Sequence, residues 1–113
     1  MAADITIREA DGTWVVRAGG AVLGESTRAL RLEEDGYDPV IYFPRGDVAM
    51  AFLDASDTRT HCPHKGDASY FSIQTKSLTL ADAAWSYEDP KAEVAEIAGH
   101  IAFGAEGVTV EQV

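Results

Sequence analysis

The sequence predicts a small, mainly β domain (β+α) with one late helix. Seven or eight short runs alternate apolar and polar residues at the period of a strand, separated by Gly, Asp and Pro turn clusters. A helical period occurs once, near residues 89–103. The 113 residues, 46% apolar and 25% charged, suit a single domain over 1–113 that buries one modest core without disulfides or metals.

In "ITIRE" (5–9) Ile5 and Ile7 alternate with polar neighbours, and Asp11 and Gly12 form a hairpin turn into "TWVVRA" (13–18). Gly19 and Gly20 turn the chain into "AVLGES" (21–26). In "RALRLEE" (28–34) Leu30 and Leu32 favour a strand over a short helical turn, and "DGYDP" (35–39) is a turn cluster. "VIYF" (40–43), β-branched and aromatic, is the most strand-like run; Pro44 ends it or places it at an edge. Val48, Met50 and Phe52 alternate in "DVAMAFL" (47–53), a further strand, and "DASDT" (54–58) is a turn. "SYFSIQT" (69–75) and "SLTLADAAWSY" (77–87) form a hairpin around Lys76 and Ser77. In "DPKAEVAEIAGHIAFG" (89–104), Val94, Ile97, Ala98 and Ile101 share one helical face, with Asp89 as cap, Pro90 at the first position and Gly104 as stop. "VTVEQV" (108–113) is a short strand or a frayed tail.

The formal net charge of −10 repels nucleic-acid phosphates and anionic lipid, and no basic stripe offsets it, so neither nucleic acid nor membrane is an expected partner. No run approaches the roughly 20 apolar residues that span a bilayer, and "MAADITIREADGT" has no basic region followed by an apolar one, so a cytoplasmic location is expected. The single cysteine, Cys62, fits a reducing compartment and excludes a four-cysteine zinc site within one chain. From Ser77 onward seven acids stand against Lys91 alone, whereas Val40 to Lys76 holds four of each sign.

That balanced segment contains "THCPHKGDASYFS" (60–72), where chemistry-bearing residues concentrate. Imidazoles at 61 and 64 and the ammonium of Lys65 favour a thiolate at Cys62, which makes it a candidate nucleophile; a lone cysteine is otherwise a small buried hydrophobe. His61 and His64 with Cys62 and Asp67 can be written as a zinc set only if the Pro63 turn makes them converge, and the paired spacing of zinc motifs is missing. "KGD" (65–67) is either a plain turn or places Lys65 as an anion clamp with Arg45. Tyr70 and Trp85 are strand aromatics that fill a core or line a pocket. His100 borders the apolar helical face, as a satisfied surface histidine or as a base paired with Cys62.

The runs "YFPR" and "DV" (42–48), "THCPHKGDASYFS" (60–72), "AAWSYEDP" (83–90) and "AEIAGHIAF" (96–103) occur in an order that resembles the small bacterial family called domain of unknown function 427. The resemblance covers roughly residues 12 to 103. It implies a β-tent, or Mss4-like, fold: two small antiparallel sheets meeting at an angle, with little helix. Zinc-binding relatives on that fold use two paired-cysteine motifs that this chain lacks, so no metal and no cofactor is expected.

The expected function is a small-molecule module, binding or enzymatic, whose pocket is lined by Arg45, His61, Cys62, Lys65, Asp67, Tyr70 and Trp85. Arg45 and Lys65 hold an anionic group, Cys62 is nucleophile or contact, and His61 or His100 is the base. The alternative is a non-enzymatic interaction domain in which the motif is a structural turn. Nucleotidyltransferase-like activity, a label the family has carried, and a metal site rank behind both: nucleotidyl transfer needs clustered carboxylates around Mg²⁺, and Asp47 and Asp67 are single acids in separate segments. Oligomeric state is left open by the sequence.

Overall fold

The computed structural model describes residues 4–113; residues 1 to 3 of the expected 1–113 domain lie outside the described residues. The strands are β1 (Ile5–Glu9), β2 (Trp14–Ala18), β3 (Ala21–Ser26), β4 (Leu30–Glu34), β5 (Val40–Tyr42), β6 (Leu53–Cys62), β7 (Gly66–Gln74), β8 (Thr79–Ser86), β9 (Ala102–Phe103) and β10 (Val108–Gln112). They form three small antiparallel sheets with orders β1-β4-β5, β10-β2-β3 and β6-β7-β8-β9, where the resemblance implies two. No helix among the described residues is long and apolar enough to cross a membrane.

Short-range turn chemistry sets two of the hairpins. Ala18 faces Ala21 across Gly19 and Gly20, and Gln74 faces Thr79, with Thr75 N donating to Leu78 O at 2.9 Å. The first and third sheets join just past β5, where Phe43 and Ile101 exchange two backbone hydrogen bonds of 2.8 Å each. The rings of Phe43 and Phe103 pack edge to face across this seam, 5.8 Å apart. One core cluster, around Val16, Leu23, Phe43, Ile73 and Ile101, fills the space behind the seam. A second, with Leu32, Tyr42, Tyr87, Val94 and Ile97 at its centre, lies between the first and third sheets.

Four expectations differ from the structure. Asp11 and Gly12 close no hairpin: β1 pairs with β4 while β2 pairs with β3 and β10, so this turn carries the chain from one sheet to another. The run 47–53 is not a strand; 3₁₀ turns span Arg45–Asp47 and Met50–Phe52. Ser26 Oγ donates to Asp47 at 2.6 Å and Ala49 N to Leu23 O at 2.7 Å, and these long-range bonds curl a segment whose alternation is strand-like. The expected turn at 54–58 lies inside β6, where the register against β7 shifts between Ala55 and Arg59.

The expected helix over 89–103 shortens to a kinked 3₁₀ segment, Ala92–Ile97. Tertiary hydrogen bonds take the backbone on either side: Lys91 N donates to Lys65 O, Gly99 N to Tyr87 O, and Ile101 is held at the seam. Of the expected face, Val94, Ile97 and Ile101 are fully buried but Ala98 is exposed, because a spacing of three serves a 3₁₀ turn as well as an α-helix.

Phe43 has no exposed surface. Phe43→Ala is expected to lower the unfolding free energy by about 3–5 kcal/mol in urea denaturation; a loss below about 1 kcal/mol would show that the seam tolerates a cavity. The hydrogen bond from Ser26, aided by Arg28, holds the Asp47 carboxyl below its ordinary value of 3.8. A depressed folded value means stability that is present above the unfolded pKa and lost as pH falls through the folded one. Asp47→Asn therefore flattens the decline in stability below about pH 4, and an unchanged acid limb in pH-dependent urea melts would contradict that role.

Candidate functional site

The second core stops short of the surface and leaves an open cleft of about 750 Å³, within the roughly 300–1,000 Å³ of small-molecule sites. One side is the end of β4 with the turn after it, carrying Glu34, Tyr37 and Asp38. The other is the third sheet, with Cys62 and Lys65 at the β6–β7 turn and Tyr70 and Trp85 on β7 and β8. Tyr70 and Trp85 are registered neighbours, their rings 6.3 Å apart and tilted by 40°. Trp85 lies against Gly104, expected above as a helix stop. A Cβ on Gly104 would stand 3.1 Å from two carbons of the indole, so the ring rests there in closer contact than a side chain at 104 would leave it.

The turn that carries the motif is tied on three sides. Lys65 N donates to Cys62 O at 3.2 Å, and Gly66, at φ +110°, starts the return strand in a conformation a side chain would resist. Lys65 O accepts from Lys91 N. The Lys65 ammonium donates to Glu34 Oε1 at 3.0 Å, with the two side chains only 12% and 8% exposed. It also stands 5.9 Å from the centre of the Tyr87 ring. Burial works against the charged ammonium, but the Glu34 bond, with Tyr87 and Cys62 nearby, raises its pKa above the usual lysine range. Burial likewise raises the Tyr42 and Tyr87 hydroxyls above the ordinary phenol range, so both are neutral donors.

His61, Cys62, Lys65, Tyr70 and Trp85 all line the cleft; Arg45, Asp67 and His100 do not. Arg45 bonds Glu88 at 3.1 Å and the Gly99 carbonyl at 3.2 Å, with its guanidinium 5.7 Å from the Phe71 ring centre. The expected Arg45–Lys65 anion clamp is therefore not assembled, since each cation already holds its own carboxylate. Asp67 is outside and accepts from His61 Nδ1 at 2.7 Å across the β6–β7 pair, both side chains well exposed. His100 Nδ1 donates to Ala98 O at 3.2 Å, and His100 does not line the cleft with Cys62. The Cys62 thiol is free and partly exposed. No group of three or more His, Cys, Asp and Glu among the described residues is placed to hold a metal ion.

Glu34, Tyr37, Asp38 and Asp82 also line the cleft and were not singled out from the sequence. Glu34 had a signal: it continues the Leu30, Leu32 alternation on one face of β4, where a carboxylate at an inward position needs a cation. Tyr37 and Asp38 sit in a turn whose direction only the tertiary structure fixes.

Lys65→Met is expected to destabilise the protein by about 3–5 kcal/mol, because it strands the Glu34 carboxylate away from water. The double variant with Glu34→Leu regains most of that loss. A chemical-denaturation cycle in which Lys65→Met costs under about 1 kcal/mol would remove the pair from the list of structural ties.

No curated protein matches the chain. Residues 6–113 match the family described as Domain of unknown function (DUF427), which spans nearly the whole chain, and the chain belongs to that family.

Proposed function

We propose that this domain binds a small molecule in the cleft, and that binding rather than turnover is its primary role. The observation that carries this is the meeting, in one concave surface, of accessible Tyr70 and Trp85 faces with a buried Lys65–Glu34 pair. Aromatic faces supply stacking area, and a few fixed polar groups supply orientation, which is the usual composition of a ligand site. Cys62 adds a thiol, but His100 lies outside the cleft and no hydrogen bond joins the His61 ring, oriented by Asp67, to Cys62 among the described residues, which leaves a thiol–imidazole catalytic pair unassembled. The raised pKa of Lys65 keeps it an ammonium, a donor rather than a nucleophile. The same proposal takes in the β-tent, or Mss4-like, arrangement, with the cleft in the angle between sheets. It also takes in a bacterial, cytoplasmic setting, which fits a single unpaired cysteine.

A second reading, a structural or interaction domain, is favoured by one observation: Lys65 is fully engaged in tying β4 to the β6–β7 turn. Amide NMR with a library of small aromatic fragments separates the two. Under the binding proposal, fragments shift the amides of Cys62, Lys65 and Tyr70 together, and Trp85→Leu weakens them about tenfold or more while the fold persists. Shifts scattered over the surface, or hits indifferent to Trp85→Leu, would favour the structural reading.

A further inference from the structure

The charge of the cleft says what kind of molecule it takes. Among the described residues Lys65 is the only lysine or arginine that lines it, beside the imidazoles of His61 and His64 and against three carboxylates, Glu34, Asp38 and Asp82. Glu34 and Lys65 cancel at 3.0 Å, which leaves Asp38 and Asp82 unbalanced in a chain whose net charge is already −10. An anion entering the cleft meets this negative field with no unpaired lysine or arginine among the described lining residues to hold it, whereas a cation is drawn in.

Asp82 is held in place to supply that field. Phe71 pairs with Ala84 and Ile73 with Leu80, so β8 carries two more residues than β7 between the same two pairs, and Asp82 sits in the resulting bulge. Its φ of +50° makes it the one non-glycine residue at positive φ among the described residues. Ser56 Oγ donates to it at 2.6 Å and Thr58 Oγ1 at 2.7 Å, and these bonds keep its carboxyl below the ordinary carboxylate range. A strained, hydrogen-bonded carboxylate at the edge of an aromatic cleft is a fixed negative charge beside open ring faces.

We propose that the ligand is a planar aromatic cation, stacked on Tyr70 and Trp85 with its charge in the field of Asp38 and Asp82. The proposal rests on the cleft being a ligand site. Ring faces and carboxylates act on the same molecule, since the negative face of an aromatic ring attracts a cation that the carboxylates also favour.

Calorimetry and amide NMR at pH 8 on the full chain, with three probes of matched shape, test it: 1-methylquinolinium, neutral quinoline and quinoline-6-carboxylate. The expected order is cation tightest, quinoline about fivefold weaker and the carboxylate weaker again, with shifts at Tyr70 and Trp85. Asp38→Asn and Asp82→Asn are each expected to weaken the cation about fivefold and leave quinoline unchanged, roughly the effect of one nearby charge in water; asparagine also tolerates the φ of Asp82. If quinoline or the carboxylate binds the cleft as tightly as the cation, or both asparagine variants leave the cation unaffected, the cleft remains a ligand site and the cation preference is overturned. If no probe shifts the cleft amides, both proposals fall.

Discussion

Lys65 and Glu34 lie almost out of water and 3.0 Å apart, in a structure whose first and third sheets exchange backbone hydrogen bonds at the Phe43–Ile101 seam. A junction of one residue pair fixes where the sheets touch, not how far they spread. The ion pair is a second tie, from the end of β4 to the β6–β7 turn, and the Lys65 carbonyl extends it to the 3₁₀ segment through Lys91. Desolvating two charges is expensive, and mutual attraction offsets that only when both partners are fixed. Here the turn is held by Cys62 O and the ammonium stands over Tyr87. That tie and the second core between the sheets together set their spread, and so the width of the cleft.

Fixing Lys65 in this way also decides its chemistry. An ammonium held by a buried carboxylate is neither a free anion receptor nor a neutral amine nucleophile, so the cleft is left with ring faces, a thiol, two imidazoles and unbalanced carboxylates. The sequence suggested the opposite sign, because Arg45 and Lys65 stand in the least acidic stretch of the chain. Local charge balance along a chain does not carry into space: Arg45 is neutralised by Glu88, 43 residues away, and Lys65 by Glu34, 31 away. Both acids lie outside the balanced stretch.

The strands were legible where side-chain period and turn chemistry agree, as at Gly19–Gly20 and around Lys76–Ser77. They were misjudged where long-range bonds overrule period, as in 47–53, where Asp47 and Ala49 are captured by Ser26 and Leu23. Burial was better marked than backbone form: Val94, Ile97 and Ile101 are buried, though on a 3₁₀ turn and a bridge rather than one helix, and only Ala98 of the expected face is exposed. Of the residues that line the cleft, Cys62, Lys65, Tyr70 and Trp85 were legible because they fall within short runs dense in polar and aromatic residues. Tyr37, Asp38 and Asp82 were not, because turns and bulges aim side chains by tertiary geometry that no local pattern encodes.

The two meanings first open for "THCPHKGDASYFS", a pocket wall or a shaping turn, are not exclusive. Lys65 and Gly66 shape the turn, and the buried Ala68 admits β7 to the second core. Two positions on, Tyr70 turns its ring to Trp85 and its hydroxyl to Thr60 at 3.0 Å, while Cys62 and His61 reach the rim. Strand alternation makes this economy available: with side chains repeating every second residue, Ala68 and Tyr70 share one face of β7, the first buried and the second half open. A substitution at Ala68 or Lys65 therefore disturbs the wall by way of the core or the ion-pair tie, whereas Tyr70 and Trp85, half open and packed against the second core, shape the wall directly.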